Sequence, residues 1–447
     1  MLLVHSITLE NFKAFKKSQT IEFAVPDGKA SSGLTIIVGD NNSGKSSLPE
    51  ILKWANWSRI NMRGEKRPRK HSRLTIEVSE SIYDLDKIYK WKASWEFGRR
   101  QFPKVVIEGE ESIKFGTMHV PFITANRQWT GILNIKDESE FHKGGVIKDL
   151  REYWYQSDDD RVFFDALKKN FGSVVNAFHK DPELKNELNS LLRKVVSFHD
   201  WTIKEENEKR ILMYIRNDGT SHPFDLLGDG VKNLFIIFAA IILGHDFVLF
   251  IDEPELGLSP QVQIRLANVL AELASKAQII ILTHSPYIYK ESIGSASFVY
   301  QFKKHTKKDY TEIKNLTSKD FNLFEYSPSW GEINYFALGL PTIEFHNELY
   351  GYIQRITKNI SEQRIEKYFK EKGDNYTKIW IRERGDKHSR PRMVTLHTFI
   401  RHKIHHPENR IMKQEDFSPQ ELESSIRKLV LIVRNLNKKG SKEEINF

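Results

Sequence analysis

A glycine-bounded loop near the N-terminus constrains this chain more than any other feature. Residues 39–46 read GDNNSGKS and follow the apolar run LTIIVG, which starts at Leu34. The loop therefore fits G-x-x-x-x-G-K-S, after a predicted strand and before a helix predicted from about Gly44 to Trp57. Glycines let backbone amides wrap a phosphate, and a helix N-terminus adds positive potential. The predicted cofactor-binding residues are Gly39, Asn42, Ser43, Gly44, Lys45, Ser46 and Ser47.

This pattern predicts ATP and Mg²⁺ as the cofactors. Lys45 would reach the β- and γ-phosphates, and the hydroxyl of Ser46 would ligate the metal. A second apolar run, FVLFI at residues 247–251, ends in Asp252 and Glu253. We expect Asp252 to hold Mg²⁺ through its water shell and Glu253 to polarise the attacking water. One metal and one base suffice for ATP hydrolysis, because phosphoryl transfer depends mainly on positioning and charge stabilisation.

The strand that ends in Asp-Glu-Pro resembles the Walker B motif of ABC ATPases. Three further segments resemble that family in the expected order: LGDGVK from Leu227 as a degenerate signature loop, Leu256–Pro260 as the dimer-contact loop, and His284 as the switch histidine. The resemblance covers residues 1–300. It implies that Glu253 and His284 are catalytic, and that Gly228 and Gly230 bind ATP held by a second subunit.

The signature loop departs from the family at one position. Gly228 stands where the family has a serine, whose hydroxyl normally helps to bind the γ-phosphate held by the opposite subunit. Backbone amides and the helix N-terminus are then left for this contact. The resemblance still implies a homodimer, or a higher oligomer, formed through heads that sandwich ATP.

The opening ITLENFKAF is similar to RecF, SMC and OLD-type ATPases. We expect an α/β fold with an ABC-type head in residues 1–330 and a mainly helical C-terminal domain in residues 331–447. Short alternating runs predict an antiparallel β lobe on the head. They are Leu74–Val78, Tyr89–Phe97, Val105–Glu108 and Val120–Thr124. A helical insertion is predicted over residues 137–198, without the sustained heptads of a long coiled-coil arm.

The charge and composition of the chain restrict which classes of partner and which cellular compartment we expect. The net charge of +9 and the pI near 9.2 favour a polyanionic partner such as DNA. The basic stretch Arg59–Arg73 could engage a phosphate backbone or be a solvated loop. The chain has 0 cysteines, which fits a reducing, cytoplasmic compartment. The longest apolar run, Leu234–Leu243, is far shorter than the roughly 20 residues that cross a bilayer, so no membrane association is expected.

Two less specific candidates lie outside these motifs. Gln128 stands where ABC proteins carry a glutamine loop and is a candidate for contact with Mg²⁺ or water, although an ordinary loop residue is the simpler interpretation. Arg401 and His406 have the R-x₄-H spacing of HEPN ribonucleases, in which such residues would activate the RNA 2′-hydroxyl. His402, His405 and His406 could instead bind a metal, or this segment could simply be a helix end before Pro407.

The C-terminal region carries a second resemblance. Glu332–Gly351 and Phe399–Arg410 resemble ATPase subunits of bacterial antiphage systems, such as the PtuA subunits of Septu-type systems. Those subunits act with an HNH nuclease, so the resemblance implies that ATP turnover gates a partner nuclease or DNA engagement. Two alternatives stay open: an ATP-regulated HEPN-like ribonuclease using Arg401 and His406, and a RecF-like DNA repair ATPase.

Overall fold

The computed structural model divides the chain into two compact units, Met1–Leu316 and Thr317–Phe447. It describes residues 2–39, 43–45, 47–48, 72–82, 87–97, 104–109, 122–123, 132–133, 171–206, 209–243, 248–292, 298–305, 310–316, 320–384, 387–388 and 390–443. Within these ranges, no helix is both long enough and apolar enough to cross a membrane.

Among its described residues, the first unit begins with eight strands and then mixes helices with strands. Its strands are β1 Leu2–Glu10, β2 Gln19–Glu22, β3 Leu34–Gly39, β4 Ser72–Ile82, β5 Lys87–Phe97, β6 Lys104–Gly109, β7 Phe122–Ile123, β8 Ile132–Leu133, β9 Asp200–Glu206, β10 Lys209–Ile215, β11 Ser221–Pro223, β12 Val248–Asp252, β13 Gln278–Thr283, β14 Phe298–His305 and β15 Tyr310–Asn315. Its helices are α1 Phe171–Lys180, α2 Pro182–Val195, α3 Asp229–Leu243, α4 Pro260–Leu273 and α5 Pro286–Ser292.

A six-stranded sheet forms the centre of this unit, in the order β15-β14-β3-β13-β12-β7. All its neighbouring strands are parallel except β14 and β15. Every residue of β3, β12 and β13 is buried. Such runs are apolar because a parallel sheet is covered on both faces. The predicted α/β class is confirmed.

The antiparallel lobe is a second sheet, in the order β2-β1-β4-β5-β6. The buried side chain of Gln278 connects it to the central sheet: its amide nitrogen donates to the carbonyl oxygens of Val4 and Ala24, and its oxygen accepts from the Val4 amide. The assignment of Val120–Thr124 to this lobe is wrong, because β7 instead pairs in parallel with β12. A short apolar run does not specify its partner strand, so the pattern alone could not place it.

The described part of the predicted insertion is helical. Asp181 caps α2 by accepting from the amides of Glu183 and Leu184, and Pro182 occupies the first turn, where no amide donor is needed. After it, β9 and β10 form an antiparallel hairpin, with Trp201 opposite Tyr214. The remainder of residues 137–198 lies outside the described residues.

The second unit packs helices around a core of its own. It includes a helical turn, Trp330–Glu332, that continues as a π-helix, Ile333–Ala337. Its further elements are α6 Ile343–Thr357, α7 Glu362–Glu371, β16 Tyr376–Trp380, β17 Glu383–Arg384, β18 Lys387–His388, β19 Arg392–Thr395, α8 Leu396–His405 and α9 Pro419–Glu443. A capping box starts α9, since Ser418 and Glu421 each accept from the other's amide. Two small two-stranded sheets, β16 with β19 and β17 with β18, were not predicted.

Candidate nucleotide-binding site

The glycine-bounded loop starts at the carboxyl end of β3. Gly39 has no space for a side chain, since a Cβ atom there would lie 2.3 Å from the carbonyl oxygen of Phe302. The buried ammonium of Lys45 donates to the carbonyl oxygen of Gly39 at 2.6 Å. Gly44 has a φ of +94°, and the Ser47 amide donates to its carbonyl oxygen. The Lys45 side chain therefore reaches back to the residue that ends β3.

Ser43 connects this loop to the edge of the sheet. Its carbonyl oxygen accepts from the Thr311 hydroxyl on β15 at 2.7 Å. Its own hydroxyl is buried and has no hydrogen-bond partner among the described residues. A polar atom in that position fits a site for a polar ligand such as a phosphate. Asn42 and Ser46 lie outside the described residues.

The two predicted catalytic residues lie side by side. Asp252, which is 8% exposed, ends β12, and Glu253 follows with a φ of +47°. The Glu253 amide donates to the Leu282 carbonyl oxygen on β13 at 2.8 Å, which aligns the ends of the two strands. The Nε2 atom of His284 is 3.8 Å from Oε1 of Glu253. The structure thus brings Glu253 and His284 together from different strands.

Glu255 belongs to this cluster but was not predicted. Its Oε1 atom accepts from the Thr283 hydroxyl and from the His284 amide, both at 2.8 Å. Burial raises the pKa of its carboxyl group, although these hydrogen bonds act in the opposite direction. The sequence signal was the second glutamate in Asp-Glu-Pro-Glu, but only the fold shows which strand end it contacts.

The predicted signature loop lies at the start of α3. Gly228 is exposed, and a Cβ atom there would meet nothing within 4 Å. Gly230 is buried, and a Cβ atom there would lie 2.3 Å from the carbonyl oxygen of Gly257 in the loop after β12. Asn233 donates from Nδ2 to the Leu256 carbonyl oxygen of the same loop at 3.2 Å. The start of α3 is therefore packed on the segment that carries Glu255.

The two HEPN candidates have separate contacts near the end of α8. The half-buried Arg401 donates from Nη1 to the Asn347 side chain at 3.2 Å and lies over the Tyr350 ring at 4.8 Å. His406 directs Nδ1 toward Glu408 at 3.2 Å and is 39% exposed. Burial lowers the pKa of His405 between them. Their role in RNA cleavage stays a prediction.

The remaining candidates are His402, the basic stretch Arg59–Arg73 and Gln128, and the structure describes only some of these residues. His402 lies 3.2 Å from Glu362 and stacks on Trp380. Among the described residues, no group of three or more histidine, aspartate or glutamate side chains could hold a metal ion. Arg73, at the end of the basic stretch, forms surface ion pairs with Glu10 and Glu96. The rest of that stretch and Gln128 lie outside the described residues.

A phosphate loop, an Asp-Glu pair and a histidine at the ends of adjacent parallel strands define an ATPase domain of the AAA/ABC type. A family model described as AAA domain, putative AbiEii toxin, Type IV TA system, matches residues 34–289, and the chain belongs to this family.

Similar proteins were found by sequence and by structure. Uncharacterized protein MJ1542 of Methanocaldococcus jannaschii is 30% identical over 107 residues, which span 24% of this chain and 13% of that protein. The SMC head domain from Thermotoga maritima is 15% identical, with a TM-score of 0.42, over 70% of this chain and 98% of that one. The Smc head domain with an extended coiled coil from Pyrococcus furiosus, bound to the C-terminal domain of ScpA, is 12% identical, with a TM-score of 0.43, over 71% and 97%.

Proposed function

We propose that this chain binds and hydrolyses ATP with Mg²⁺, and that turnover gates DNA engagement or a partner nuclease in bacterial antiphage defence. The main support is that three functional segments meet at one edge of the central sheet. The strands β3, β13 and β12 are parallel neighbours, and the phosphate loop, His284 and Asp252–Glu253 follow their carboxyl ends. In α/β sheets, ligands bind outside the carboxyl ends of the strands.

Each residue of the site then has a role in phosphoryl transfer. Lys45 and the loop amides hold the phosphates of ATP. Ser46 and Asp252 would hold Mg²⁺, a hard cation that takes oxygen ligands and commonly shares them with phosphates and water. Bound there, Mg²⁺ would supply positive charge against the charge that develops on the phosphates. Glu253 accepts a proton from the attacking water. His284, whose Nε2 atom is 3.8 Å from the Glu253 carboxylate, orients that carboxylate.

We further propose that two copies of the chain sandwich ATP as a homodimer. Gly228 is exposed at the N-terminus of α3, where backbone amides carry positive potential. No contact within 4 Å would obstruct a side chain at this position, so the surface is open to a nucleotide held by a second copy. Gly230 would support this contact because its close packing on Gly257 fixes the position of the start of α3.

Several observations support the role in defence and the nuclease partner. The family's description refers to a toxin of a type IV toxin–antitoxin system. Glu332–Gly351 and Phe399–Arg410 resemble ATPase subunits that act with an HNH nuclease. On the sheet of β16 and β19, Ile379 and Met393 are paired opposite each other and are about half exposed. An exposed apolar pair suits a protein contact, and the net charge of +9 suits DNA.

A Glu253→Gln variant tests the proposed hydrolysis. It removes the base but leaves Asp252 and the phosphate loop in place, so ATP binding should persist while kcat falls on the order of 10²- to 10⁴-fold. Calorimetry would measure binding, and phosphate release would measure turnover. The matched control is Glu272→Gln, which changes an exposed carboxylate that pairs with Lys194 on the same unit. Hydrolysis at the wild-type rate by Glu253→Gln would assign the base to another group.

The partner proposal needs a separate experiment. The chain should be co-purified from its native operon and assayed for nuclease activity with and without ATP. We expect an HNH nuclease to co-purify and its activity to depend on ATP. Recovery of the chain without a nuclease, together with ATP-dependent DNA binding, would favour the RecF-like alternative.

A further inference from the structure

The turn that carries His284 is held by a neighbouring side chain rather than by regular secondary structure. His284 lies between the end of β13 and the start of α5. Its amide donates to Oε1 of Glu255, and the Thr283 hydroxyl donates to the same atom. The Thr283 oxygen in turn accepts from the Ser285 amide at 2.9 Å. Glu255 therefore fixes three consecutive residues of the turn.

Glu255 is itself held in place by the loop on which it lies. Its neighbour Leu256 accepts from Asn233, and Gly257 packs directly on Gly230 at the start of α3. On the other side, Gln263 donates to the Leu258 carbonyl oxygen and accepts from the Ser285 hydroxyl. Both ends of the loop are thus anchored, so the Glu255 carboxyl group has little freedom to follow a displaced His284.

We propose that Glu255 is a positioning residue for the ATPase reaction, which holds the backbone of His284 so that the imidazole faces Glu253. This inference rests on the proposed function. Glu255 contacts the turn through one oxygen, and its other oxygen, Oε2, is buried without a hydrogen-bond partner among the described residues. The contribution of Glu255 is therefore the reach and acceptor capacity of Oε1, not the charge of the carboxylate.

Two substitutions distinguish the effect of the length of the Glu255 side chain from the effect of its charge. Glu255→Gln keeps the length of the side chain and an oxygen that can accept from both donors, so kcat should stay within about threefold of the wild type. Glu255→Asp keeps the carboxylate but shortens the side chain by one methylene, so His284 should shift and kcat should fall on the order of 10- to 100-fold. ATP affinity should be unchanged in both. A loss in Glu255→Gln but not in Glu255→Asp would overturn the proposal in favour of a role for charge.

A double-mutant cycle tests whether Glu255 acts through His284. If it does, Glu255→Asp should reduce kcat strongly in the wild-type background but hardly at all in a His284→Ala background, because nothing remains to be positioned. Independent losses that multiply would contradict the proposal. Glu272→Ala serves as the control for removal of a carboxylate, and thermal melts should show that each variant is folded.

The position of His284 provides a readout that does not depend on turnover. A crystal structure of Glu255→Asp should show the imidazole displaced from Glu253, whereas Glu255→Gln should keep it near the 3.8 Å contact. An unmoved imidazole in Glu255→Asp overturns the positioning role even if the wild type hydrolyses ATP. If the wild type fails to hydrolyse ATP, the proposed function fails, and the two structures still decide whether Glu255 positions His284.

Discussion

The buried side chain of Lys45 donates to the carbonyl oxygen of Gly39, the residue that ends β3. Lys45→Ala should abolish ATP binding, because no other group of the loop can neutralise the β- and γ-phosphates from within it. Calorimetric titration with ATP would measure the loss. Lys29→Ala, which removes an exposed ammonium elsewhere on the unit, is the control. Near-normal affinity in Lys45→Ala would refute the assignment of the phosphate loop.

Residues differ in how far the sequence could specify their role. Lys45, Asp252 and Glu253 could be predicted as site residues because fixed spacing beside an apolar strand is itself the chemical requirement. Glu255 was missed, since it is its contacts with Thr283 and His284, at the end of another strand, that point to a role. Gly230 was predicted as a nucleotide contact, yet its close approach to Gly257 depends on a loop that the sequence pattern does not position.

The proposed function and the ribonuclease alternative make their most different predictions for the end of helix α8. His406→Ala should change stability by only about 0.5 kcal/mol, because the ring is exposed and its partner Glu408 is a surface residue. His402→Ala should cost more, about 1–3 kcal/mol, because that ring stacks on the buried Trp380 and lies near Glu362. Denaturant unfolding would measure both. We expect no RNA cleavage by the wild type, and cleavage lost in His406→Ala would instead establish the ribonuclease alternative.

Elements with strong periodicity could be predicted, whereas those defined by a distant partner could not. The strands around the phosphate loop and the final helix α9 follow from apolar runs and capping residues within a few positions. In contrast, β7 has only two residues, and its place beside β12 depends on a strand more than a hundred residues away. The short strands β16 and β19 alternate too briefly for a periodic signal.

At the scale of the whole molecule, the proposed homodimer implies that each nucleotide site would be complete only when two copies meet. Glu253→Gln should therefore form a stable dimer with ATP and elute as a monomer without it, since unhydrolysed nucleotide keeps both heads joined. Light scattering during size-exclusion chromatography would measure the mass. Gly228→Asp in the same background should prevent dimerisation, because it adds a negative side chain where the γ-phosphate would approach. A monomer in the presence of ATP would contradict the sandwich arrangement.

The position of β3 in the central sheet also affects when the proposed nucleotide site can form during synthesis of the chain. Both neighbours of β3, the strands β13 and β14, come from the far side of the first unit in sequence. Pairing over such separations is slow and has a high entropic cost. The lobe formed by β1, β2, β4, β5 and β6 can pair on the ribosome first, whereas β3 gains both of its neighbours only after His305 has emerged. We therefore expect the proposed nucleotide site to form only when nearly the whole first unit has been translated.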